Sequence, residues 1–119
     1  GGFRFFTERL AQRLHLDFTR SNTLEIVDGR LTGRVLGEIV NADVKRRTVE
    51  ETCAAIGCTP AQAIVVGDGA NDLKMMSIAG VSVAYRAKPI VRSETTHAIN
   101  HCGLDAILNW FVDQLPTAP

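Results

Sequence analysis

Two carboxylates and an amide crowd into one short run, Gly67-Asp68-Gly69-Ala70-Asn71-Asp72. The continuous apolar stretch Ala63-Ile64-Val65-Val66 leads into it, and a helical pattern through Leu73, Met76 and Ala79 leads away. Asp68 and Asp72 placed together repel unless a cation joins them. Mg²⁺ prefers oxygen ligands and typically takes one or two carboxylates, with phosphate and water completing its shell. Glycine on either side of Asp68 permits a tight backbone, and the start of the following helix favours an anion. The chemistry this pattern suits is the holding of Mg²⁺ beside a phosphate.

Other uses of the loop compete. A dinucleotide fingerprint needs glycine where Asp72 stands, and an EF-hand calcium loop needs oxygen ligands where Gly69 and Ala70 stand. A plain Asp/Asn turn capping a helix stays open on the loop alone. Lys45 bears on the choice. It stands near the start of the preceding helical pattern, where a cation opposes the helix dipole, so helix stability does not explain it. Directed at the anion site it would neutralise phosphate charge; as part of the run Lys45-Arg46-Arg47 it would be a solvated surface cation.

The cysteines say less. Cys53, Cys58 and Cys102 are odd in number and lack C-x-x-C spacing, so neither a disulfide framework nor a zinc knuckle is suggested. Small buried thiols in a reduced, cytoplasmic protein are expected. His101 beside Cys102 could be half of a metal site, but further ligands are missing.

The elements that must position these residues follow from periodicity. Phe3, Phe6, Leu10 and Leu14 repeat at helical spacing. Phe18 to Ile26 reads as a strand, a turn at Asn22 and the start of another strand. Leu24–Val27 and Leu31–Val35 flank Asp28-Gly29, the strongest short hairpin signal. A helix is expected from Asp43 to Gly57, with Asp43 as its cap and Gly57 as its stop. Thr59-Pro60 opens a helical turn. Ala63–Val66 reads as a strand covered on both faces, and Val81–Ala84 as a second strand. Pro89 begins a short helix, Thr96 to Asn100 forms an edge strand, and Leu104, Ile107, Leu108, Phe111 and Leu115 mark a final amphipathic helix. Helix and strand alternate from Asp43 onward, which predicts an α/β fold with a parallel sheet and helices on both faces.

The 119 residues argue for one domain or a piece of one, and 45% hydrophobic with 22% charged residues argues for a folded globular chain. Thirteen basic and thirteen acidic residues cancel, so no basic excess points to nucleic acid or a membrane surface. No apolar run reaches the length of a membrane span. Gly1-Gly2-Phe3 is neither an initiator methionine nor a signal peptide and reads as a cut end.

Taken in order, Gly1-Gly2-Phe3, the hairpin with Asp28-Gly29 and Thr32-Gly33, Lys45, the loop Gly67 to Asp72, and Ala84-Tyr85-Arg86-Ala87-Lys88-Pro89 resemble the phosphoserine phosphatases of the haloacid dehalogenase superfamily. The resemblance covers nearly the whole chain, and related phosphatases acting on other small phosphomonoesters share its scaffold. It implies a Rossmann-like three-layer core with a β-hairpin flap, incomplete here, with residues 1–119 as the C-terminal part of one core domain. It implies Asp68 as the principal carboxylate for Mg²⁺, Asp72 as support for the metal shell and the loop, and Asn71 as a phosphate-side amide. Lys45 would hold the nucleophile and the transferring phosphoryl group, and the Gly1 backbone N–H would face phosphate.

Three features of the family's pattern are missing. No D-x-D pair exists among the aspartates, so the motif that supplies the nucleophile and the acid/base is absent. The hydroxyl residue that precedes the family's motif-two glycine, and the helical cap between those motifs, are absent too. The parent reaction implied is Mg²⁺-dependent hydrolysis of O-phosphoserine to serine and phosphate, a step of serine biosynthesis, with this chain alone inactive. A non-catalytic α/β regulatory or interaction module is the alternative. Self-association, or a missing N-terminal segment of the same protein, is expected to cover the incomplete sheet.

Overall fold

Asp28 and Gly29 both adopt left-handed backbone, with φ of 50° and 74°. Two such residues in succession make the turn whose twist matches that of paired strands. They join β1 (Thr23–Val27) to β2 (Arg30–Leu36), antiparallel, with Val27 opposite Arg30 and Ile26 opposite Leu31. The structure is a computed structural model and describes residues 2–114. The described residues divide into two compact units, with the boundary between Lys45 and Arg46.

The first unit opens with α1 (Arg4–Leu14), where the helical spacing predicts it. No residue of α1 is buried within this chain, and Phe6 is 62% exposed. The strand expected to start at Phe18 does not form. With no neighbouring strand to pair with, the chain there makes one isolated parallel bridge, Phe3 to Asn22.

The boundary between the units falls inside α2 (Ala42–Ile56). Its cap is Asn41 rather than Asp43: Asn41 Oδ1 accepts the Val44 N–H at 3.0 Å, while Asp43 lies in the first turn, where an acid suits the dipole. Gly57, at φ 79°, closes the helix. The Gly57 N–H reaches the Ala54 carbonyl and the Cys58 N–H reaches the Cys53 carbonyl, the paired bonds of a Schellman motif.

In the second unit a single 3₁₀ turn (Pro60–Gln62) precedes β3 (Ile64–Gly67). β3 pairs in parallel with β4 (Val81–Tyr85), and β4 with β5 (His97–Ile99), in the order β3-β4-β5. Central β4 buries Ser82, Val83 and Ala84. β3 was expected to be covered on both faces, but it lies at an edge and leaves Ile64 46% exposed. α3 (Leu73–Ile78) packs on β3 and β4 and inserts Met76 into a core with Val65, Val83, Val91 and Ile99. α4 (Pro89–Ser93) begins at its proline, as expected.

The final segment departs from expectation. Leu104–Gln114 forms 3₁₀ turns instead of one amphipathic helix, and Phe111 interrupts them at φ −126°, ψ 32°. Leu104 and Leu108 stay exposed and Ile107 and Phe111 are only half-buried, so among the described residues the stripe lacks the buried face that would hold a regular helix. Leu115 lies outside the described residues. Among the described residues no helix is long and apolar enough to cross a membrane.

Candidate functional site

β3 delivers Asp68 at its carboxyl end, and the register of Gly67 with Ala84 brings the residues after β4 to the same end of the sheet. Ligands of open parallel sheets collect at this end. The loop turns through a 3₁₀ segment (Ala70–Asp72) directly into α3.

The two carboxylates have different surroundings. Asp68 is exposed, whereas Asp72 is only 5% exposed. Asp72 Oδ2 accepts the backbone N–H of Asp68 and of Gly69, each at 3.1 Å. The buried carboxylate thus ties down the backbone from which Asp68 projects. Gly67 makes that possible: a Cβ there would lie 2.5 Å from Asp72 Cβ and 2.8 Å from its Oδ2. Any larger residue at position 67 would displace the Asp72 side chain. Asn71 also curls over the loop, since a Cβ on Gly69 would meet Asn71 Oδ1 at 2.7 Å. Asp68, Asn71 and Asp72 are therefore gathered in one turn, as their spacing implies.

This donor set suits a hard cation. Among the described residues no group of three or more His, Cys, Asp or Glu side chains could hold a metal. Two carboxylates, one already hydrogen-bonded, match Mg²⁺, which needs few protein ligands when phosphate and water supply the rest.

Lys45 lies in the first turn of α2, half-buried, with its N–H on the Asn41 carbonyl at 3.0 Å. Its neighbours are more exposed than it is. Arg46 and Arg47 are exposed and pair along the helix with Glu50 at 2.9 Å and Glu51 at 3.5 Å. Lys45 belongs to the first compact unit and the Asp68 loop to the second. Gly1 lies outside the described residues.

Some organising residues carry no clear sequence signal. Asn22 reads as an ordinary turn residue, yet it ties three segments together. Its N–H meets the Gly2 carbonyl at 2.9 Å, its carbonyl accepts the Arg4 N–H at 2.8 Å, and its Oδ1 accepts the Val40 N–H at 2.7 Å. Ser82 and Thr96 clasp β4 to the start of β5 through three bonds of 2.8–3.0 Å. Arg86, at φ 46°, turns the chain after β4 and directs its guanidinium to the carbonyls of His101 and Cys102 at 3.4 Å. Cys102 is exposed, against the expectation of buried thiols; Cys53 is buried and Cys58 half-buried.

Known proteins resemble this chain in sequence and fold. A phosphoserine phosphatase of Polaromonas sp. (strain JS666 / ATCC BAA-500) is 54% identical over 112 residues, covering 91% of this chain and 48% of that protein. The unliganded crystal structure of a probable phosphoserine phosphatase from Vibrio cholerae superposes with a TM-score of 0.86 at 44% identity, over 91% of this chain and 33% of that one. A phospho-aspartyl intermediate analogue of phosphoserine phosphatase superposes equally well, with a TM-score of 0.86 at 34% identity, over 92% of this chain and 53% of that one. The chain spans half or less of the length of the curated relatives it matches. The family model of the haloacid dehalogenase-like hydrolases matches residues 6–111, so that the strand-end loop, the sheet that carries it and nearly all of the surrounding chain fall within one alignment, and this chain belongs to the haloacid dehalogenase-like hydrolases.

Proposed function

We propose that this chain is part of a Mg²⁺-dependent phosphomonoesterase that hydrolyses O-phosphoserine to serine and phosphate, in the cytoplasm, as a step of serine biosynthesis. The observation that carries the reading is the loop at the end of β3, where buried Asp72 holds the backbone and Asp68 is left facing solvent. Similarity to proteins named phosphoserine phosphatase supports the substrate class. Asp68 would hold Mg²⁺, with Asp72 behind it; when bound, the ion supplies charge neutralisation at the phosphoryl oxygens.

The chain's own residues would do the rest of the positioning. Asn71 would donate its amide to a phosphate oxygen, and the Gly1 N–H would do the same. Lys45 would neutralise charge developing on the phosphoryl group, the task of a preorganised electrostatic partner. In the covalent route an aspartate carboxylate attacks phosphorus, and that aspartate would come from a segment outside these 119 residues. The phospho-aspartyl analogue among the solved relatives supports a covalent route of this kind. The exposed edge of β3 supports a further strand pairing there, from that segment or from a second copy. Without such a segment the 119-residue chain would show no turnover.

The test is Asp68→Asn in the full-length protein, followed by phosphate release from phosphoserine across a Mg²⁺ titration. Turnover should fall by orders of magnitude and its Mg²⁺ activation should weaken. Unchanged Mg²⁺-dependent hydrolysis would sink the assignment, and a preference for another small phosphomonoester would revise the substrate alone.

A further inference from the structure

The Schellman motif at the end of α2 has cysteine at both positions whose side chains meet. In that motif the residue two past the cap and the residue three before it make the closing side-chain contact. Here these are Cys58 and Cys53, and the Cys58 N–H donates to the Cys53 carbonyl at 2.9 Å. A backbone bond of that length brings the two residues into the roughly 4.4–6.8 Å range of Cα separation that a disulfide spans. The ordinary use of this contact is apolar packing, which most hydrophobic residues would serve. Two thiols serve it as well and can also be oxidised.

We infer that Cys53 and Cys58 form a modification site, a dithiol that closes to a reversible disulfide when it meets a hydroperoxide. The two thiols differ in access. Cys53 is buried and Cys58 is half-buried, so Cys58 is the sulfur that solvent oxidants reach. Burial first, and then the neighbouring Cys58, raises the pKa of Cys53 and keeps it a thiol. The Cys58 thiolate attacks the peroxide: an S–O bond forms, the O–O bond breaks, and hydroxide leaves to take up a proton. The Cys53 sulfur then attacks the Cys58 sulfenic acid, giving up its proton as the S–S bond forms and the S–O bond breaks, and water departs. One hydrogen peroxide and two thiols thus yield one disulfide and two waters, with the sulfurs oxidised by two electrons in all. Cys102, exposed and not part of this motif, is the internal control.

The experiment treats the reduced full-length protein with hydrogen peroxide, blocks residual thiols, and maps the cysteines by non-reducing digestion and mass spectrometry. The dominant oxidised species should join Cys53 to Cys58, and dithiothreitol should restore both thiols. In Cys53→Ala, oxidation should stall at a Cys58 sulfenic acid that a dimedone probe captures. Three results would each overturn the inference: Cys53 and Cys58 staying free while Cys102 reacts, Cys58 linking to Cys102, or over-oxidation of Cys58 with no linkage. The wild-type map does not depend on the variant folding.

Discussion

Replacing Asp72 by alanine tests whether one buried carboxylate organises the candidate site. The side chain accepts two backbone N–H groups, and its loss leaves both without that acceptor. Hydrogen bonds to a charged group contribute roughly 1.5–3 kcal/mol each, and an orphaned buried donor costs about 1–3 kcal/mol. Asp68 is exposed and Gly69 half-buried, so water can reach these donors in the variant and the lower half of that range applies. Asp72→Ala should therefore destabilise the full-length protein by about 2–4 kcal/mol, a sizeable share of the roughly 5–15 kcal/mol of an ordinary domain. Asp72→Asn keeps one acceptor but loses the charge, and should cost about half as much. Urea unfolding reads both, as a lowered midpoint at constant slope. Asp68→Asn, at an exposed position, should stay within about 0.5 kcal/mol of the parent. If Asp72→Ala were as stable as Asp68→Asn, the claim that Asp72 holds the loop would fail.

Other outcomes follow from the same geometry. Lys45→Ala should lower turnover by about 3 kcal/mol, roughly a hundredfold, while Arg46→Ala and Arg47→Ala stay within a few tenths; equal small effects at all three would return Lys45 to the solvated surface. Gly67→Ala should cost about 1–3 kcal/mol in thermal unfolding, because its Cβ would lie 2.5 Å from that of Asp72, and most of that penalty should vanish in an Asp72→Gly background. The Cys53 thiol has a raised pKa in the folded state, so as pH climbs the unfolded chain releases its proton first; this contribution is intact at neutral pH and is lost as the pH rises past the ordinary thiol range. Cys53→Ala should flatten the decline of stability between neutral and alkaline pH, and an unaltered slope would exclude Cys53 as its source.

Local rules read well where the decisive interaction is local. The Asp28-Gly29 hairpin, the Gly57 stop and the Pro89 start depend on backbone preferences of one or two residues, and each is found where the sequence places it. The gathering of Asp68, Asn71 and Asp72 is local in the same sense, since a strand end and a short turn leave little freedom between them. What the sequence does not reveal depends on partners far along the chain. Asn22 binds Val40 across 18 positions and Ser82 binds Thr96 across 14, and neither pair belongs to any periodic pattern. The last apolar stripe misleads for a related reason. Spacing specifies a helix only if a core receives its face, and Leu104 and Leu108 remain exposed. The choice of Asn41 over Asp43 as cap was within reach, since asparagine and aspartate cap about equally well and two residues decide between them.

The spacing of Asp68 and Asp72 puts two carboxylates in one loop, and their surroundings make them unequal. A carboxylate that accepts two N–H groups is stabilised as an anion without any cation, whereas an exposed carboxylate offers its lone pairs outward. If both faced solvent, water would screen their repulsion and neither would hold the backbone of the loop. With Asp72 bound to the backbone, the hydrogen bonds that shape the loop come from the protein itself, and Asp68 is left exposed beside them. Gly67 is the condition for this arrangement, because only a missing side chain lets Asp72 lie so close to β3. The physical content of the motif is thus one exposed carboxylate, one buried brace and the glycine that makes room for the brace. Substitutions at the three positions should separate accordingly: Asp68 acting on turnover alone, Gly67 and Asp72 acting on stability and turnover together.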